Sequence, residues 1–274
     1  MEEEREYLII LDLLFRVGQA NAGLEMDEKL VEAESLARKF FFHSASAFYL
    51  SQGTRIEDSP SVKDNFFDWS SVDVLARATF EAFLTFHYIF GASISNEESD
   101  FRFYSWQLGG LKERQEFLSI APVLKQEAKR VLANDQKCIQ KYEQILKNNK
   151  VFLNLSKKQQ NKILKGNWRT QSWREIALDA KLSNLDAEHF YGLLCGHAHS
   201  SSLSTMQIKH ARTPRQQLDL LAGTMGVIKI AMANFIFEYC RLFPNSLLEL
   251  EKNAEAKRVA EDWLWIGQKE IECN

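Results

Sequence analysis

The stretch SVDVLARATFEAFLTFHYIF, residues 71–90, is apolar on nearly every face and contains neither glycine nor proline. A helix that is hydrophobic all round has to be surrounded by protein, so this segment reads as a buried helix, and its burial decides the fold. Asp73, Arg77, Glu81 and Tyr88 recur within it near the helical period and fall on one stripe. A guanidinium among Phe80, Phe83, Leu84 and Phe86 needs a partner, because an isolated buried charge is costly. Arg77 stands four residues from each carboxylate. The stripe is therefore either a structural ion-pair ladder that fixes helix register or an acid–base and anion-holding surface facing a cleft.

Working outward, helical periodicity recurs from end to end and strand patterns are nearly absent. Leu8, Leu11, Leu14 and Phe15 mark a helix over 2–20, and Leu30, Ala33, Leu36, Ala37 and Phe40 mark one over 27–50. The polar stretch Ser51–Asp64, with Gly53 and Pro60, is a loop. Capping-box pairs begin several later helices: Ser95 with Glu98, Ser156 with Gln159, Ser172 with Glu175, and Thr213 with Gln216, the last with Pro214 at the first helical position. They imply helices near 96–118, 123–148, 157–165, 173–181, 186–195, 214–242 and 246–270. The expectation is an all-α fold: a single multi-helix bundle of about nine or ten helices. It is one domain over 1–274, with a motif-bearing core at roughly 25–242 and a C-terminal helix 246–270 packing on it.

Composition agrees. The 274 residues include only 12 glycines and 4 prolines against 19 phenylalanines and 6 tryptophans, which favours long helices around a large core. A net charge of −3 excludes a strongly basic, nonspecific nucleic-acid coat. Cys138, Cys195, Cys240 and Cys273 are widely spaced, as in a reduced cytoplasmic protein. Leu220–Phe237 imitates a membrane span, but Lys229 at its middle and the polar residues before it assign it to the centre of a bundle. The acidic start, Glu2–Glu4, does not read as a secretory leader. A cytoplasmic location and no membrane contact are expected.

Two further segments could carry chemistry. In FYGLLCGHAHSSS, residues 190–202, Gly196 is expected to end a helix and leave His197 and His199 on a small-residue loop. No Glu-x-x-His pair completes a carboxylate metal site, and His189 is eight residues before His197, so no metal is expected. In KKQQNKILKGNWRTQSWR, residues 157–174, there is no acidic residue, and Trp168 and Trp173 interleave with Lys162, Lys165, Arg169 and Arg174. That is the best available nucleic-acid surface, unless the tryptophans anchor a loop into the core. No phosphate-binding glycine loop, dinucleotide fingerprint or nucleophile elbow is present, so no cofactor is expected.

Three pieces in order, RATFEAFLTFHYIF (77–90), FRFYSWQLGGLKERQEFL (101–118) and YGLLCGHAHSSS (191–202), resemble a bacterial all-helical family described only as a domain of unknown function. Its pattern is an Arg-x-x-x-Glu helix, an aromatic and Arg-bearing helix, and a Tyr…Ser/Cys…His segment. Arg77 and Glu81 match the first part, Tyr191 and either His197 or His199 the last, with Cys195 where a serine is expected. The chain is also loosely similar to HEPN domains, helical bundles that include metal-independent ribonucleases of toxin and antiphage systems with an Arg-x4–6-His pair. Arg38 and His43 fit that spacing, although five helical residues turn their directions apart by about 140°.

Two functions follow as expectations. In the first, the protein is a HEPN-like ribonuclease of toxin or antiphage-defence type. Arg77, Glu81, Tyr191 and His197 or His199 form its catalytic group, RNA is its substrate, and an antitoxin or defence-system protein is its partner. In the second, it is a non-enzymatic protein-binding or dimerisation module in which Arg77 and Glu81 form a structural ion pair. A homo-oligomer is expected in either case.

Overall fold

The computed structural model describes residues 2–54, 67–92, 94–120, 126–184, 187, 191–199 and 201–269. The protein is all-helical, as the periodicity requires. Its helices are α1 (Glu2–Gln19), α2 (Glu28–Ser51), α3 (Trp69–Phe86), α4 (Asn96–Ile120), α5 (Gln126–Asn148), α6 (Lys150–Asn154) and α7 (Lys157–Leu164), then α8 (Trp173–Asp179), α9 (Tyr191–Ala198), α10 (Ser202–His210), α11 (Pro214–Leu242), α12 (Pro244–Lys252) and α13 (Ala254–Gln268). A π-helical turn, His87–Gly91, follows α3 directly.

Thirteen α-helices among the described residues exceed the nine or ten expected, and caps explain much of the excess. Asn149 accepts from the amides of Val151 and Phe152 and starts α6 immediately after α5. Asn253 accepts from Ala256 N and splits the expected 246–270 helix into α12 and α13. In the serine run, Ser201 accepts from Ser204 N and opens α10, which the sequence did not suggest. Ser156–Gln159 and Thr213–Gln216 form complete capping boxes. Ser95 makes half of one: its Oγ accepts from Glu98 N, while the Glu98 carboxylate takes Arg102 Nε at 2.7 Å instead of reaching back.

The chain forms two compact units, Met1–His87 with Trp173–Asn274, and Tyr88–Ser172. In the first, α11 is the axis, with α1, α2, α3, α12 and α13 packed against it. Phe40 of α2 and Phe86 of α3 both meet Phe235 of α11, at ring separations of 4.2 and 4.5 Å. By length and composition α11 could cross a membrane, and 67% of its most apolar window is covered by the protein itself, as in a core helix. Lys229 at its middle is buried under Trp263, 3.8 Å from the ring centroid, and lies 3.6 Å from a Glu6 carboxylate oxygen.

In the second unit α4 packs on α5, with α6 and α7 closing a core of Phe101, Leu108, Ile139, Tyr142, Leu146, Phe152 and Ile163. Gly109 lets the following chain approach. A Cβ there would lie 2.9 Å from the carbonyl oxygen of Gly166, whose φ of +100° itself favours glycine.

Candidate functional site

Helix α3 lies against α9, and a polar seam runs between them. Steps of four along α3 bring Asp73, Arg77 and Glu81 onto the face that meets α9. Asp73 meets His197, with Oδ2 3.3 Å from Nε2. Arg77 Nη1 lies 3.0 Å from His199 Nε2. The Tyr191 hydroxyl donates to Glu81 Oε1 at 2.9 Å, and Arg77 Nε donates to the same oxygen at 3.0 Å. The two segments singled out in the sequence, more than one hundred residues apart, therefore converge.

Several expectations about these residues need correction. Gly196 does not end the helix: it lies inside α9, which carries His197 and runs to Ala198, with His199 on the turn beyond. The expected 186–195 helix is seen as Tyr191–Ala198; positions 188–190, His189 among them, are outside the described residues. Arg77 is not sealed among the phenylalanines, since its side chain is 20% exposed and that of Glu81 30%. It does not share its charge between two carboxylates either, because Asp73 turns into the core. Tyr88 leaves the stripe at the π-helical turn, where the extra residue advances the register. Its hydroxyl meets Thr170 and its ring carries Arg102.

The inner end of the seam is dry and closed. The His197 side chain is 1% exposed and that of Asp73 6%. His197 Nε2 faces two oxygens, Asp73 Oδ2 and Gln207 Oε1 at 2.8 Å, so that nitrogen carries the proton. Its Nδ1 meets the Ser70 hydroxyl at 3.1 Å, and the Trp69 ring stands edge-on beside it. Thr224 of α11 donates to the other Asp73 oxygen. Burial raises the Asp73 pKa, opposed by the Thr224 hydrogen bond and the electrostatic influence of the adjacent His197 ring.

The outer end is half-exposed and differently wired. A guanidinium only donates, so the Nε2 that faces Arg77 is the unprotonated nitrogen of His199. Burial and the neighbouring Glu81 carboxylate raise the Tyr191 pKa, so its phenol keeps its proton and acts as a donor. Arg77 also stands over the Tyr191 ring, 5.7 Å from the centroid. The arrangement offers a fixed cation, a neutral imidazole lone pair and a phenolic donor within one small area. That set suits an oxyanion and a proton to be moved.

A second histidine centre went unread in the sequence. His87, its side chain 7% exposed, places Nδ1 2.6 Å from Glu238 Oε1 and Nε2 3.3 Å from Asp179 Oδ2. The two carboxylates raise its pKa against the opposing effect of burial. These residues come from α3's end, α8 and α11, and no local spacing links them. The only signal was a glutamate late in the apolar α11.

The basic run divides between the two compact units. Lys162 and Lys165 are exposed, on α7 and at its C-cap, and Trp168 packs on Tyr88 at 5.8 Å as a loop anchor. Arg169 donates to the Gln171 carbonyl at 2.9 Å. These four belong to the second unit, whereas Arg174 belongs to the first and reaches Asn184 Oδ1 at 3.3 Å. On α2, exposed Arg38 lies near Glu34, and burial together with Lys39 lowers the pKa of His43.

Fold and site together define an all-helical protein with a histidine- and arginine-bearing seam. The chain belongs to the Family of unknown function DUF5677, whose model matches residues 62–215, more than half of its length. No curated protein and no solved structure matches the chain. All five seam residues proposed from sequence, Arg77, Glu81, Tyr191, His197 and His199, fall within the matched stretch. None of these comparisons shows the expected likeness to HEPN domains.

Proposed function

We propose that the Arg77–His199 pair is a metal-independent phosphodiester-cleaving centre acting on RNA. One observation carries this reading: a partly exposed guanidinium 3.0 Å from an imidazole nitrogen that must hold a lone pair. When a phosphate arrives it takes over the guanidinium, which frees that lone pair at the moment it is needed. His199 Nε2 then removes the proton of the ribose 2′-hydroxyl, and the 2′-oxygen attacks the adjacent phosphorus. Arg77 balances the added negative charge of the five-coordinate state. The bond to the 5′-oxygen breaks, and the imidazolium returns its proton there, leaving a 2′,3′-cyclic phosphate and a 5′-hydroxyl. Glu81 positions Arg77 through Nε, and Tyr191 fixes Glu81 by donating its one proton to that carboxylate. His197, closed off by Ser70, Asp73 and Gln207, positions α9 and takes no proton from substrate.

Under this reading a protein that silences or triggers the activity, of antitoxin or defence type, is the partner expected of a cell that tolerates it. Lys162, Lys165 and Arg169 of the second unit, with Trp168 anchoring their loop, and separately Arg174 of the first would serve RNA capture; neutralising any of these four charges should weaken binding and flatten its salt dependence. The test is incubation of the purified full chain with an RNA pool in the presence of a chelator. Cleavage with cyclic-phosphate ends, lost in Arg77→Ala and His199→Ala and kept in Arg38→Ala, is the expected result. Wild type and His199→Ala behaving alike would remove the proposal and leave the non-enzymatic module with its structural Arg77–Glu81 pair.

A further inference from the structure

Beside the seam stands an aromatic residue that the catalytic scheme leaves unused. Trp173 opens α8 and is half-exposed, its ring centroid 6.5 Å from that of Tyr191 at an interplanar angle of 49°. Tyr191 in turn carries Arg77 over its face. A cation and two aromatic rings thus follow one another within the same compact unit, with exposed Arg174 next in the chain. Helix α8 is fixed to the core by Ile176 and Ala177, both fully buried, which leaves part of the Trp173 indole at its start open to solvent. Arg77 spends Nε on Glu81 and Nη1 on His199, while Nη2 meets no acceptor among the described residues.

A phosphate and an aromatic platform side by side recognise a nucleotide whose base can leave its own stack. Bases in a duplex are stacked on one another, whereas unpaired bases present a π-face that any aromatic side chain can cover. We propose that Trp173 is the base-stacking platform of this site, so that its ligand is single-stranded RNA, with a backbone phosphate on Arg77 and the neighbouring base on the indole. This rests on the reading of Arg77 as a phosphate-holding group but not on cleavage. It makes Trp173, rather than the basic run on α7, the residue that selects unpaired strands.

The experiment uses the full chain and a fluorescently labelled 2′-O-methyl oligoribonucleotide of about 12 nucleotides, which lacks the attacking hydroxyl and stays intact. Anisotropy titrations compare the single strand with its blunt duplex. The single strand should bind and the duplex should bind about tenfold or more weakly; Trp173→Leu should lose about tenfold for the single strand, and Trp173→Phe should recover most of it. Circular dichroism on both variants confirms folding, and the Leu and Phe pair separates a lost π-face from lost bulk. Equal binding of strand and duplex overturns the inference, as does unchanged affinity in Trp173→Leu or no binding at all. Trp173-dependent binding, with an unmodified strand left uncut, keeps the ligand class and removes the cleavage reading. Cleavage that is indifferent to Trp173 does the reverse.

Discussion

His197 and His199 are two residues apart and both face α3, yet they belong to different chemical worlds. One is enclosed by Trp69, Ser70, Asp73 and Gln207, carries its proton on Nε2 and ties three helices together. The other stands past the end of α9, half open to water, with its lone pair on Nε2 turned to Arg77. Residue type and spacing are shared, so the difference comes from what surrounds each ring. Burial turns a histidine into a structural joint, and partial exposure beside a fixed cation turns one into a reagent.

The largest expected effect of breaking this contrast is on folding. His197→Ala leaves the buried Asp73 carboxylate with Thr224 as its remaining described partner and should cost about 3 kcal/mol or more in urea unfolding; a loss below about 1 kcal/mol would show that the inner network is not closed. A pH comparison of wild type with His87→Gln comes next. The folded pKa of His87 is raised, so its contribution should be complete below the ordinary histidine value and fade as pH rises through the folded value. A gap between the two stability curves that widens on the alkaline side would contradict the bridging role given to Glu238 and Asp179. Tyr191→Phe deletes one hydrogen bond to Glu81 and should cost about 1 kcal/mol in thermal unfolding, with a greater proportional loss of any RNA cleavage. Arg77→Ala should move stability least, by less than about 1 kcal/mol, because the pair with Glu81 is partly solvated. Nitrogen NMR sharpens the comparison without any substitution. At a pH where both rings are neutral, the Nε2 of His197 should carry hydrogen and that of His199 should not. Identical tautomers would collapse the distinction.

Much of this was legible in the chain. The helices over 2–19 and 28–51 were readable from a 3.6-residue period, and that over 214–242 from a local cap as well, because each signal is written within one stretch of sequence. The partnership of Arg77 with Glu81 was readable for the same reason. The need of a buried Arg77 for partners beyond its own helix points to YGLLCGHAHSSS, the uncharged polar cluster broken by glycine, and the Tyr191 hydroxyl of that segment meets Glu81. What stayed hidden was the choice between neighbours: Asp73 and Glu81 are equally spaced from Arg77, and only the depth of the helix in the core assigns Asp73 to His197 and Thr224. The π-helical turn was equally invisible, and one inserted residue was enough to take Tyr88 off the stripe. The Glu238–His87–Asp179 bridge joins three helices with no sequence proximity, so nothing short of the fold could show it.

Helix α11 has a consequence for how the matched stretch can be handled. The matched stretch stops at residue 215, one position into the helix that supplies Thr224 to Asp73, Glu238 to His87 and Phe235 to Phe86. A polypeptide excised at those borders would keep every seam residue and lose the wall behind them, uncovering the Phe86 ring that packs on Phe235 and Tyr239. Such a fragment should aggregate when expressed alone. In this chain the stretch recognisable as the family is therefore shorter than the unit that packs.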